Sequence, residues 1–242
     1  MPTDDKTRLL AELTETIRLE PHNAECLARR AKCFSDLGDD DRALADANEA
    51  ITIDSRLDYA WAVRGYIHQH RQEYDAALDD YSEAIRLNPN NVNAWGGRGI
   101  IQVRHMNQYQ AAELDLTRSI QLQPNRGHAY LHRARANWHL GRAEQALADY
   151  DRAISLLSQQ HPPHSCTASV AFFERGDFYF QKNDLARAIE DFTEAIRLDP
   201  NYWEAYERRA KAFRALGDNL NAQQDEGKVK EGKRKGEKEK GT

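Results

Sequence analysis

The chain has 242 residues, 40% apolar and 30% charged, and its 34 lysines and arginines against 39 aspartates and glutamates leave a net charge of −5. That balance gives no overall attraction to nucleic acid, no apolar run approaches the roughly 18 residues of a membrane span, and 13 glycines with 7 prolines are too few for a turn-rich β fold. Three cysteines (Cys26, Cys33, Cys166) cannot make a disulfide framework, and the opening Met1-Pro-Thr-Asp-Asp-Lys has no basic segment leading into an apolar one, so a cytoplasmic location is expected.

In chain order, residues 4–19 carry Leu9, Leu10, Leu13 and Ile17 at helical spacing and predict one amphipathic helix. From residue 24 the chain repeats itself. A small residue recurs at Ala31, Gly65, Gly99, Ala134, Gly176 and Ala210, in steps of 34, 34, 35, 42 and 34. An alanine column follows at Ala43, Ala77, Ala112, Ala146, Ala188 and Ala222, in steps of 34, 35, 34, 42 and 34. Two independent columns with one period place full units at about 24–57, 58–91, 92–126, 127–160 and 169–202, with a sixth from Trp203. Each unit reads as two helices. Turns such as Leu37-Gly38-Asp39 and Leu216-Gly217-Asp218 supply a glycine to end the first helix and an aspartate to cap the second. A proline near the end of most second helices blocks continuation.

This pattern resembles the tetratricopeptide repeat (TPR) family. The residues that carry the resemblance are a large residue (Leu27, Trp61, Trp95, Tyr130, Phe172, Tyr206), the small column four residues on, and the alanine of the second helix. An aromatic in most units (Tyr81, Tyr150, Phe192), a further alanine (Ala50, Ala84, Ala153, Ala195) and the closing proline complete it. The resemblance implies an all-α, right-handed superhelical solenoid of about six helix-turn-helix units plus an N-terminal capping helix. The expected organisation is a half-repeat cap over 1–22, units one to four over 23–160 and an inserted loop over 161–168. Units five and six with a polar cap follow over 169–230, and a disordered Lys-rich tail closes the chain over 231–242. The half repeat at the N-terminus reads either as a cap or as an open end that another copy completes.

Two features depart from the family pattern. The position before the small column is arginine in all six units (Arg30, Arg64, Arg98, Arg133, Arg175, Arg209), and the second helices carry a matching aspartate (Asp46, Asp80, Asp115, Asp149, Asp191, Asp225). An interhelical ladder follows, each guanidinium forking onto the aspartate of its own unit or of the preceding one. The other departure is the insertion His161-Pro-Pro-His-Ser-Cys166, whose two histidines and cysteine invite a zinc reading but lack a fourth partner of predictable position. It reads better as a proline-stiffened spacer. His128 and His132, four apart on a helix, likewise have no acidic or cysteine companion.

Chemistry is otherwise missing. Gly96-Gly-Arg-Gly99 lies within a helix and lacks the lysine and hydroxyl of a phosphate loop, and no Ser-His-Asp set can be placed as a triad. The reading is non-enzymatic, with no cofactor and no metal. The resemblance puts the first helices on a concave, partner-binding groove, lined through the columns by Tyr59, Tyr66, Ile100, Arg104, Leu131, Arg135, Trp138, His139, Phe173, Asp177, Phe180 and Lys211. Tyr66, Leu131, Trp138 and Phe173 are the expected apolar anchors, while Arg104, Arg135 and Lys211 favour an acidic protein segment. The lysine and asparagine, four apart, of the family's carboxylate clamps are not reproduced at the matching pairs. The tail from Gly227 counts 7 basic and 3 acidic residues, or +4. A polyanion such as RNA is therefore the alternative partner, marked by steep salt dependence, and self-association through the half unit is a third.

Overall fold

The computed structural model describes residues 3–159 and 165–239, and among them every regular element is a helix. A lone helix α1 (Thr3–Leu19) precedes three pairs: α2 (Ala24–Asp36) with α3 (Asp40–Ile53), α4 (Asp58–His70) with α5 (Tyr74–Leu87), and α6 (Val92–Arg104) with α7 (Tyr109–Leu122). Three more follow: α8 (Gly127–His139) with α9 (Ala143–Ser158), α10 (Ser165–Gln181) with α11 (Leu185–Leu198), and α12 (Trp203–Ala215) with α13 (Asn219–Glu239). The chain divides into two compact bodies, residues 1–124 and 125–242. The insertion therefore falls inside the second body. It is bridged there by the packing of Leu131 with Ala168 and Ala171 and by an Arg175–Asp151 ion pair of 2.6 Å.

Both repeat columns are contact columns. The alanines at 43, 77, 112, 146, 188 and 222 are all fully buried, because a side chain larger than a methyl would hold the paired helices apart. Where the first helix carries glycine the approach is closer still. A Cβ at Gly65 would lie 3.0 Å from the Tyr81 ring, and one at Gly97 in the next repeat would lie 2.3 Å from the same ring. Tyr81 is thus clasped between α4 and α6, and its hydroxyl donates to the Gln69 side chain at 3.0 Å.

Each first helix ends on a residue in the left-handed region. Gly38, Gly141 and Gly217 take φ of +85°, +75° and +80°, but the same column is filled by Gln72, Asn107 and Asn183 at +62°, +54° and +60°. The turn is set by geometry, and three repeats hold it without glycine. The aspartates after it act as expected: Asp39 accepts from the Arg42 amide and Asp184 from the Arg187 amide.

The arginine ladder pairs within repeats. In all six, Nε and Nη2 donate to the two carboxylate oxygens of the aspartate in the same pair at 2.7–2.9 Å. The aspartates are only 4–7% exposed. The third nitrogen, Nη1, reaches back to the second helix of the preceding repeat, where it meets Asn48 from Arg64, Ser82 from Arg98, Asp151 from Arg175 and Thr193 from Arg209. Five of the guanidiniums also lie 4.8–5.6 Å from the centroid of the aromatic ring three residues earlier.

Two boundaries differ from expectation. Residues 165–168, expected in the inserted loop, form the first turn of α10, because buried Ala168 and Ala171 dock that end of the helix against α8 and α9. The stretch from 231, expected to be disordered, is helical through Glu239. Buried Val229 and the close fit of Gly232 beneath the Trp203 indole anchor α13, and the Lys- and Glu-rich sequence beyond them has good helix propensity.

Candidate functional site

The predicted groove residues fall into both bodies and are taken body by body. In residues 1–124, Tyr59 is half-buried among Leu57, Ile67 and the alanines around them, and desolvation raises its phenol above the ordinary value. Tyr66 is held on the same face: its hydroxyl donates to Asp36 at 3.2 Å, the Lys32 ammonium lies 4.2 Å from its ring centroid, and His70 packs beside it at 4.1 Å. Burial works against the Asp36 charge, but its bond to Lys32 and the ammonium of Lys6 on α1, 3.5 Å away, outweigh it and keep the carboxyl below its usual range. This is a closed polar cluster. Ile100 is half-buried and Arg104 exposed.

In residues 125–242, Leu131 is only 2% exposed and lies in the core with Tyr150, Ala153 and Leu157. It cannot serve as an anchor for a partner. Its column holds Ala28, Ala62 and Gly96 in the first three repeats, all buried as well, so through the first four repeats it is a seam of the core, whereas the fifth and sixth place half-buried Phe173 and Glu207 there. Phe180 is partly buried against Phe178 and Phe192, and Lys211 is exposed on α12.

The remaining five come together. Arg135, Trp138 and His139 from α8 and Phe173 and Asp177 from α10 line a cavity of about 290 Å³. Tyr150, Glu174, Phe178 and Gln181 complete it. Trp138 meets Phe178 edge-on at 5.2 Å, and Phe173 packs on Tyr202 at 4.9 Å. At the floor, Arg135 donates through Nε and Nη2 to the two oxygens of Glu174, and the Tyr150 hydroxyl reaches Glu174 at 3.4 Å. Burial opposes the Arg135 charge, but Glu174 outweighs it and holds the guanidinium above its ordinary value; burial, then Glu174, raises the Tyr150 phenol, which stays a donor. Glu174 escaped the sequence reading because it comes from the next repeat, and Tyr150 was read only as a repeat aromatic of the second helix. The one signal for Glu174 was its place beside the ladder arginine Arg175, in the column of His132 a repeat earlier.

Among the described residues no group of three histidine, cysteine or acidic side chains could hold a metal ion, and no helix is long and apolar enough to cross a membrane. His161 and His164 of the insertion lie outside the described residues.

Comparison with known proteins agrees with this architecture. In structure, the chain is similar to YrrB, described as a TPR protein with an unusual peptide-binding site, with a TM-score of 0.60 and 24% identity over 80% of this chain and 95% of that one. It is also similar to a chain of the APC/C hetero-tetramer Cut9-Hcn1, with a TM-score of 0.79 and 15% identity over 93% of this chain and 42% of that one. In sequence, it is 37% identical over 82 residues to the TPR repeat-containing thioredoxin TTL4 of Arabidopsis thaliana, a match covering 34% of this chain. The chain spans about a tenth, 11%, of the length of that curated relative. Models of the tetratricopeptide repeat match residues 24–56, 59–91 and 103–163, and a TPR repeat model matches 176–217. With the helix pairs, the small-residue columns and these four matches in agreement, the chain belongs to the tetratricopeptide repeat family.

Proposed function

We propose that the protein is a non-enzymatic interaction scaffold that grips a segment of a partner protein on the first-helix face of residues 125–242. The observation that carries this reading is the notch between α8 and α10, a concave site with aromatic walls, a polar floor and the exposed His139 at its rim. Sites of this kind bury one anchoring side chain and leave the rest of the segment on the rim. An acidic partner loses its main support, since Arg135 is already committed to Glu174; exposed Arg104 and Lys211 are what remains of it.

The test is site-specific photo-crosslinking in the native cell extract. A photoreactive residue at His139 captures a protein that the same group at Arg152, exposed on α9, does not, and Trp138→Ala abolishes the capture while circular dichroism stays unchanged. Equal capture at both positions, or captured nucleic acid released by salt, overturns the proposal.

A further inference from the structure

The last helix pair has an open face that earlier pairs do not. In the first pair, Ala60, Val63 and Ile67 of α4 pack over the alanines of α2 and α3, and in the fourth, Ala171 of α10 packs over those of α8 and α9. The alanine at this place on the covering helix (Ala60, Ala94, Ala129, Ala171, Ala205) is buried in every repeat. Among the described residues no helix follows α13 to cover α12 in the same way. A cavity of about 310 Å³ lies there instead, over buried Ala210 and Val229.

Charge says what that face lacks. The position after the small column is charged throughout residues 125–242, and in the two pairs with a following first helix it is neutralised from that helix. Arg135 of α8 pairs with Glu174 of α10, and Asp177 of α10 pairs with Arg208 of α12 at 3.3 Å. Glu174 and Arg208 hold the same repeat position, three residues after the covering alanine. Lys211 is next in the series. It is exposed, and no carboxylate among the described residues lies within ion-pair distance of it. The cavity lining carries three cations, Lys211, Arg214 and Lys230, against two carboxylates, Glu207 and Glu226. Arg214 is already forked onto Glu226 at 2.9 and 3.0 Å. Lys230, also exposed, stands where the five earlier second helices carry isoleucine.

A basic side chain is repelled by this face, and a wholly apolar helix would cover Lys211 and Lys230 without compensation. A carboxylate placed as Glu174 is placed neutralises Lys211, and a small residue before it with an aliphatic one after it rests on the floor as Ala60 and Ile67 do on theirs. We infer that the open face of α12 and α13 is a second docking surface. It takes a partner's helix with alanine or glycine at position i, a carboxylate at i+3 and an aliphatic side chain at i+7. This surface is distinct from the notch and does not depend on it.

The test is fluorescence anisotropy with the full chain at about 50 mM salt, where exposed charges are weakly screened. The probes are fluorescein-labelled stapled helices with alanine at i, isoleucine at i+7, and glutamate, glutamine or lysine at i+3, the remaining positions being glutamine. The glutamate helix binds saturably, the glutamine helix at least about threefold more weakly, and the lysine helix more weakly again. Lys211→Glu, checked for folding by circular dichroism, inverts the order so that the lysine helix binds best. Arg104→Glu, on the exposed end of α6, leaves order and affinity unchanged, and so does Trp138→Ala, which separates this surface from the notch. Equal binding of the glutamate and glutamine helices, no saturable binding of any probe, or an unchanged order in Lys211→Glu overturns the inference. So does self-association in sedimentation velocity that Lys211→Glu abolishes, since the occupant would then be a second copy of this chain.

Discussion

At the scale of single residues, the turn column and the ladder make opposite demands. The left-handed position that ends each first helix needs only a backbone conformation, so a β-carbon there is a cost with no return: Gln72 at φ +62° bears roughly 1 kcal/mol of strain. Gln72→Gly is expected to stabilise the protein by about 0.5–1 kcal/mol in urea melts, less whatever flexibility glycine adds to the unfolded chain. The ladder arginine depends on its side chain. Arg133→Ala strands Asp149, a buried carboxylate left with one Asn137 contact at 3.2 Å, and should cost about 3–5 kcal/mol. Arg133→Leu keeps the packing over Tyr130 and costs less, so thermal melts showing the reverse order would contradict the ladder's assigned role. Both columns were visible in the sequence because every repeat carries them. The pairing was not, since a separation of 16 or 17 residues between arginine and aspartate is compatible with either neighbour until the helix pair is built.

At the scale of helices, glycine has two meanings that periodicity alone does not separate. Gly97 faces the Tyr81 ring across α5 and α6, whereas a Cβ at Gly227 in α13 would meet nothing within 4 Å. Gly227→Ala should stabilise by about 0.5–1 kcal/mol through helix propensity, and Gly97→Ala should destabilise by about 1–3 kcal/mol through overpacking. Chemical denaturation of the two variants checks the sign. Helix starts respond to pH. The bond from Arg187, then the capped amide, holds the Asp184 carboxyl below its ordinary range, and Arg42 does the same for Asp39. A lowered folded-state pKa means that the contribution is complete above the ordinary carboxylate value of about 3.9 and is lost as pH falls through the lowered one. The Tm deficit of Asp184→Ala should therefore be constant from pH 7 to about pH 5 and close towards pH 2. The misreading of Leu131 belongs to this scale too. Its column holds Ala28, Ala62 and Gly96 in the first three repeats, and those small residues already marked a seam where helices meet.

At the scale of the molecule, repeat stability is the sum of helix pairs and their nearest neighbours. Ala188, fully buried between α10 and α11, tests this. Ala188→Leu should lower amide-exchange protection in α10, α11 and α12 and leave α2 to α5 at wild-type levels; equal loss in both bodies would show that the chain unfolds as one cooperative block. The all-helical architecture was legible from two columns and a period. The division at residue 124 was not, because the most conspicuous irregularity in the sequence is the insertion, and the contacts that bridge it join residues from different repeats. The notch was half-legible: Trp138 and Phe173 were among the expected groove residues and Tyr150 and Phe178 were not, while its charge balance depends on Glu174 and Asp177 meeting Arg135 and Arg208 across helices.

Self-contained pairing in the ladder bears on how such a chain can lengthen or shorten. Each helix pair carries both its cation and its counter-charge, while in four of them the third arginine nitrogen donates to an asparagine, serine, aspartate or threonine of the pair before it. Duplicating or deleting one whole pair therefore creates no orphaned buried ion at the new junction. Had each arginine been neutralised by the aspartate of the pair before it, internal copies would still match, but the first arginine and the last aspartate of any array would be left for a capping element to neutralise, so trimming at an end would expose an unmatched charge.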